Sequence, residues 1–175
     1  LQTCNTRKLD LWCERFMTDD KALSGNKKRK MRSASRLYAV QALFQMEHSR
    51  QTTESVRIEF LNHRFGADYD GTKYEEGNAD LFTRTVDDAV NYQAQIDQLT
   101  DRALVAKWPL GRIDPTMRAL FRAAGAELIQ TTTPPKVIIV EYVDVASAFF
   151  PDGKEPKFVN AVLDHMAHEV RANEF

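Results

Sequence analysis

Residues 154–164 near the end of the chain combine residue types that can hold a single-stranded nucleic acid. Lys154 and Lys157 offer cations, Phe158 offers an aromatic ring and Asn160 offers an amide. An aromatic ring can stack on an unpaired base while neighbouring cations hold the phosphates. These residue types at this spacing therefore predict a binding surface and not a reaction centre.

The geometry of a helix leaves Phe158 with a second interpretation. Successive helical residues are rotated by about 100°, so Phe158 lies about a quarter turn from the centre of an apolar stripe, at its edge. Lys157 and Asn160 lie on the polar side of the same helix. By geometry alone, Phe158 could be an aromatic residue of the core and Lys157 a solvated cation.

Residues 27–36 form a second candidate for phosphate binding. The segment contains six cations and no acid: Lys27, Lys28, Arg29, Lys30, Arg32 and Arg36. Arg32 and Arg36 are one turn apart on a helix whose N-terminus already favours anions. Basic arms of this type often become ordered only when they bind RNA. The alternative is a disordered tail that improves solubility.

The net charge of the whole chain is only -1, because basic and acidic segments cancel. The segment 66–78 carries four acids, Asp68, Asp70, Glu75 and Glu76, against the single cation Lys73. Local potential, not total charge, attracts phosphate. A near-neutral total is therefore compatible with a polyanionic ligand.

The sequence lacks the motifs of common catalytic and cofactor sites. It has no G-x-G-x-x-G, no G-x-x-x-x-G-K-S/T and no H-E-x-x-H. His165 and His168 are three residues apart but lack a supporting set of metal ligands. Cys4 and Cys13 are the only cysteines and imply neither a disulfide framework nor a zinc site. We expect no catalytic residue, metal or cofactor.

No apolar run approaches the ~20 residues of a membrane span, and the start lacks the apolar region of a secretory signal. These features predict a cytoplasmic protein without membrane contact.

Residues 1–16 resemble nothing that follows, and Met17 opens a more natural beginning. We interpret 1–16 as a leader; the alternative is an amphipathic anchor. The expected organisation is a leader and basic disordered arm over 1–30 and a single domain over 31–175.

Helical spacing of apolar residues dominates the rest of the chain. Asn78 and Asp114 are suited to cap helix N-termini, and Pro115 fits a first helical position. The β-branched run at 137–140 would by propensity alone form a strand. Its apolar pattern, however, continues without a turn to Phe149, which favours a helix. The expected helices cover about 31–48, 53–65, 78–108, 114–130, 137–149 and a segment after the turn at 150–153, so the fold is all-α.

Four blocks, in this order, resemble the NusB family of bacterial transcription antitermination factors over most of residues 31–170. They are residues 38–44; 113–115 with Arg118, Arg122, Glu127 and Leu128; 134–137 with Glu141; and 157–164. The resemblance implies a fold of about six helices in two small bundles and a role without enzymatic activity. It also implies binding of the single-stranded boxA element of nascent ribosomal RNA leaders. The implied partners are the ribosomal protein NusE and the elongation complex with RNA polymerase.

The resemblance also assigns site residues. The arginine-rich start of the family's first helix matches Arg32 and Arg36, with Lys27 to Lys30 just before it. The family's RNA-contacting aromatic residue of the final helix matches Phe158, and Lys157 and Asn160 belong to the same motif. Phe44 stands where the family often has tyrosine on the RNA-proximal side of the first helix. The resemblance thus favours Phe158 as an RNA contact over a core residue.

The chain departs from the family pattern at both candidate segments. Ser33, Ala34 and Ser35 stand where the family often carries further arginines. Lys154-Glu155-Pro156 replaces a usual acidic-serine-histidine run. Lys154 therefore places a cation where an acid is common, and we expect it to strengthen phosphate attraction.

Two other functions remain open from the sequence. One is the NusB-like RNA-binding portion of a ribosomal RNA methyltransferase, although such an enzyme needs a cofactor domain whose glycine motif this chain lacks. The other is a protein-only adaptor without RNA binding. An exposed apolar face could serve NusE or a second copy of the chain, so a homodimer also remains open.

Overall fold

The computed structural model describes residues 23–104 and 109–175, and the expected leader lies outside these ranges. The described residues form seven α-helices and confirm the all-α fold. The helices are α1 Gly25–Ser49, α2 Thr53–His63, α3 Ala79–Asn91, α4 Gln93–Ala103, α5 Pro115–Gln130, α6 Pro135–Phe149 and α7 Glu155–Val170. No helix in these ranges is long and apolar enough to cross a membrane.

The first helix begins earlier than its apolar pattern indicated. Ser24 is the N-cap, and its hydroxyl accepts a hydrogen bond from the Lys27 backbone N–H at 3.3 Å. Gly25 is the first helical residue, six positions before the expected start at Met31. The basic residues from Lys27 to Lys30 therefore lie on the first two turns of α1 and not in an arm before it.

The predicted helix starts at Asn78 and Asp114 are confirmed. The Asn78 side chain accepts from the Leu81 N–H at 2.7 Å, and that of Asp114 accepts from the Thr116 N–H at 2.8 Å. Pro115 occupies the first turn of α5. The segment 135–149 is a helix, as the continuous apolar pattern predicted.

The helix expected over 78–108 is divided in the structure. Tyr92 separates α3 from α4 with φ −108° and ψ 15°. All residues from 90 to 95 are exposed, so no packing holds a straight helix there. The break lets Val86 on α3 and Ile96 on α4 both reach the core, where each is fully buried.

Helix α5 is the centre of the molecule and contacts α1, α3, α4, α6 and α7. Beside this core, the segment between α2 and α3 forms a two-stranded antiparallel ribbon, β1 Asp68–Tyr69 and β2 Thr72–Lys73. Asp70 and Gly71 turn the ribbon with φ values of 52° and 80°, as a tight hairpin turn with two left-handed residues requires. The loop expected over 66–78 is therefore partly ordered as a hairpin.

Candidate nucleic-acid interface

The start of α1 presents most of the predicted cations. Arg29, Lys30 and Arg32 are exposed, and Lys28 is half-buried. Lys27 forms an ion pair with Glu75 of the loop that follows the ribbon. The first turns of α1 thus carry a dense positive charge at a helix N-terminus, where the helix dipole also favours anions.

Arg36 departs from the expectation of a surface cation, since only 4% of it is exposed. Its Nε and Nη2 donate to the two carboxylate oxygens of Glu127, both at 2.9 Å, and its Nη1 donates to Glu141 at 3.1 Å. Burial alone would lower the pKa of the guanidinium, but the charge and hydrogen bond of Glu127, together with Tyr142 and Glu141, outweigh burial and raise that pKa. Arg36 is therefore a structural residue and is not available to phosphate.

Two further residues complete this buried network. The Tyr142 hydroxyl donates to Glu127 at 2.8 Å, and the Ser33 hydroxyl donates to Glu141 at 2.7 Å. Burial raises the pKa of Tyr142 well above its usual value, so the phenol remains a neutral donor. The network joins α1, α5 and α6. Glu127 and Glu141, which belong to the second and third motif blocks, therefore have a structural role.

The arginines of the second motif block also hold helices together. Arg118 pairs with Glu47 at the end of α1 and donates to the backbone carbonyls of Leu110 and Ile113 at 3.2 and 3.0 Å. Arg122 pairs with Asp97 on α4 at 2.9 Å and with Glu47 at 3.1 Å. Both guanidinium groups are mostly covered by these partners, which fix α5 against α1 and α4.

The start of α7 presents the second group of predicted residues. Lys154, Lys157 and Asn160 are exposed, whereas Phe158 is half-buried. The Phe158 ring packs edge-on against the buried ring of Phe121, with centroids 6.1 Å apart. One part of Phe158 therefore belongs to the core, and the remainder faces solvent beside the two lysines. The core contact of Phe158 is thus shown, and stacking of its exposed part on a base stays a prediction.

Phe44 borders a hollow of about 480 Å³ on the surface of α1. Phe44 is 37% exposed, and its ring stacks on His48 with centroids 4.2 Å apart. Phe149, the last residue of α6, lines the same hollow. Only the short turn at 150–154 separates Phe149 from the start of α7, so Phe44 and the α7 residues lie towards the same end of the molecule.

The basic start of α1 lies at a distance from this end. From Arg32 to Phe44, α1 rises about 18 Å. A second hollow, lined by Leu37, Tyr38, Gln41, Arg64, Tyr69 and Tyr74, adjoins the first and shares Gln41 and Arg64 with it. We call the two hollows together the α1 groove. Lys30 lies about 40° from Phe44 around the helix, so Lys30 shares the face of α1 on which the groove begins two turns later, at Leu37.

Sequence reasoning missed the ribbon as a part of this surface. Tyr69 and Tyr74 are each 48% exposed, and their rings meet edge-to-face with centroids 5.7 Å apart. Two tyrosines within an otherwise polar, acidic segment were a signal that aromatic side chains lie outside the core. Within residues 23–104 and 109–175, no group of three or more His, Cys, Asp or Glu could hold a metal ion.

The sequence is similar to proteins of one known family. The model of the NusB family matches residues 33–168. A transcription antitermination protein NusB of Maricaulis maris is 42% identical over 159 residues, which cover 90% of this chain and 99% of the relative. The NusB of Rhodopseudomonas palustris is 43% identical over 155 residues, or 88% of this chain and 91% of the relative.

Solved structures share the fold. The NusB of T. maritima superposes with a TM-score of 0.66 at 28% identity, covering 82% of this chain and 95% of that one. A NusB chain solved with NusE and double-stranded RNA superposes with a TM-score of 0.63 at 22% identity, over 78% and 96% of the two chains. The match of the family model over most of the chain and the identity to full-length relatives lead to one conclusion: this chain belongs to the NusB family.

Proposed function

We propose that this protein is a transcription antitermination factor that binds the single-stranded boxA element of nascent ribosomal RNA leaders together with ribosomal protein NusE. Its relatives at 42–43% identity carry the name transcription antitermination protein NusB. A NusB with the same fold has been solved with NusE and double-stranded RNA. These relatives support a role inside an elongation complex with RNA polymerase and not in catalysis.

The arrangement of exposed residues along the α1 groove carries the proposal. Exposed cations stand at the start of α1, and two exposed lysines flank Phe158 at the start of α7. Phe44 and the groove lie further along α1 than its basic start, and Phe149, just before the turn into α7, lines the groove. Single-stranded RNA is commonly held by such a combination of backbone cations and aromatic rings.

The separation of the two groups sets the kind of RNA that fits. Arg32 and Phe44 are about 18 Å apart along the helix axis, and the α7 residues lie beyond Phe44. A strand that contacts both groups must therefore be several nucleotides long. Lys154 supports binding at the α7 end, since it adds a cation beside Lys157 and Phe158.

Substitution of Phe158 by Ala tests the proposal. Loss of a stacked base weakens binding by about 5- to 150-fold, because one base–aromatic stack contributes about 1–3 kcal/mol. Affinity is measured by fluorescence anisotropy on a short boxA-like RNA, with and without NusE.

The matched control is Phe175→Ala, which removes an exposed aromatic residue that stacks on His168 and not on the groove. A thermal melt of each variant separates binding from stability, because Phe158 also packs on Phe121. A folded Phe158→Ala protein with wild-type affinity would refute the stacking role. Absence of RNA binding by the wild type at low salt would favour a protein-only adaptor.

A further inference from the structure

An acidic side chain lies against the basic start of α1. Glu75 accepts a hydrogen bond and an ion pair from Lys27 Nζ, and the two side chains are 34% and 40% exposed. Glu75 belongs to the segment between the ribbon and α3, far from Lys27 along the chain. One cation of the predicted phosphate site is therefore already engaged by the protein's own carboxylate.

Other contacts hold this segment on α1 without involving the Glu75 carboxylate. The Tyr38 hydroxyl donates to the backbone carbonyl of Glu75 at 2.8 Å, and the Tyr38 ring stacks on Phe65 at 4.8 Å. The Asn78 N–H, shortly after Glu75, is 2.6 Å from the Ser35 hydroxyl oxygen. These contacts involve the Glu75 backbone and neighbouring residues, not the Glu75 carboxylate. The fold therefore holds the carboxylate next to the start of α1 without help from the ion pair.

The electrostatics of the contact keep Glu75 ionised. The hydrogen bond from Lys27 is the main cause that lowers the pKa of the Glu75 carboxyl, and the charges of Lys27, Lys30 and Lys73 lower it further. At neutral pH the carboxylate thus faces cations of the α1 start. A phosphate that approaches Lys27 must replace this carboxylate as the charge-assisted acceptor.

We propose that Glu75 is an internal competitor for phosphate at the basic start of α1, so that RNA gains Lys27 only by displacing its carboxylate. The inference rests on the RNA-binding function proposed above. It means that anions touching only the α1 start bind weakly, while an RNA that also reaches the groove and α7 has further contacts to offset the displacement. The displacement costs every anion that uses Lys27 the same free energy, so only a ligand with further contacts binds tightly at this site.

The Glu75→Gln variant tests the competition, because it removes the charge and keeps the size and the backbone anchors. We expect RNA affinity to rise by about two- to fivefold, the range typical of an exposed ion pair. The slope of log affinity against log salt should change by less than about 0.7, the value for one phosphate contact with a single strand, because both proteins place a phosphate on Lys27 in the complex. Both are measured by titrations of a boxA-like RNA at several salt concentrations.

Glu76→Gln is the matched control. It removes the same charge from the next residue, whose carboxylate lies beside Gly66. We expect a smaller gain in affinity than with Glu75→Gln. Equal gains from the two variants would show a general charge effect and overturn the inference.

A double-mutant cycle with Lys27→Gln provides a second readout. Loss of Lys27 should weaken RNA binding more in the Glu75→Gln background than in the wild type, because in the wild type the loss of the Lys27–Glu75 ion pair offsets part of the gain from the Lys27–phosphate contact. Equal losses in both backgrounds would overturn the inference. If the wild type binds RNA in a salt-dependent way and Glu75→Gln leaves that binding unchanged, the competition is refuted but the proposed function is not. If the wild type binds no RNA, the proposed function itself is refuted.

Discussion

At the scale of single residues, the charged side chains of the motif blocks divide into two classes. Arg118, Arg122, Glu127 and Glu141 are engaged in ion pairs between helices. Lys157, by contrast, is exposed on α7. The first class stabilises the fold, and only the second is placed to contact a ligand. A charge within a family motif is therefore not by itself evidence of a binding residue.

Arg36 provides the residue-scale prediction. Arg36→Met should lower the free energy of unfolding by about 3–5 kcal/mol, because it leaves the Glu127 carboxylate buried without its cation. The measurement is urea unfolding followed by circular dichroism. Arg57→Met, which removes an arginine from a partly exposed pair with Asp87, should change stability by no more than about 1 kcal/mol. Similar losses in the two variants would contradict the structural role of Arg36.

At the scale of elements, successive parts of α1 have different surroundings. Its first turns carry the exposed cations, its middle is buried through Ala39, Val40 and Ala42, and one side of its second half borders the groove. Its C-terminal end is fixed to α5 by Glu47, which pairs with both Arg118 and Arg122. The position of Phe44 on the groove thus depends on an ion-pair cluster one turn further along the helix.

The Glu47 cluster gives a pH-dependent prediction. The hydrogen bond from Arg118 is the main cause that lowers the pKa of Glu47 below its usual value of 4.5. A carboxyl whose pKa is lowered on folding stabilises the protein above its unfolded pKa, and this contribution is lost as pH falls through the folded pKa. The wild type should therefore be more stable than Glu47→Gln at pH 7, with a smaller difference at pH 3. Urea unfolding at both pH values measures it, and a difference that is constant or larger at pH 3 would contradict the role of the ion pair.

At the scale of the whole molecule, the candidate interface has two parts, one at the start of α1 and one at the start of α7. The packing of α1, α5, α6 and α7 sets their separation. We expect the length of a ligand to decide how many of these parts it contacts. Short anions can occupy one part only, whereas a longer strand can occupy both.

The length of the RNA should therefore decide which substitutions matter. On a boxA-like RNA of about twelve nucleotides, Arg32→Gln and Phe158→Ala should each weaken binding, and their effects should add because the sites are far apart. On an RNA of about four nucleotides, only one of the two substitutions should retain its effect. Binding titrations of the two single variants and the double variant measure this. If both substitutions had their full effects on the short RNA, the division of the interface into two separate parts would be contradicted.

Much of the fold and part of the candidate site were determined by local sequence. Asn78 and Asp114 cap their helices because each side-chain oxygen accepts a hydrogen bond from a free backbone N–H two or three residues later. Such a contact depends only on the local sequence. The long apolar run ending at Phe149 formed a helix despite its β-branched start. The exposed lysines beside Phe158 followed from helical spacing alone.

Tertiary structure decided what depended on distant partners. Nothing near Arg36 in the chain shows that Glu127 and Glu141 bury it, because those carboxylates arrive on α5 and α6. The division of the long helix at Tyr92 likewise followed from the need of both α3 and α4 to reach one core. Helical periodicity describes a face, but which faces are covered, and which cations remain at the surface, is decided only when the helices pack.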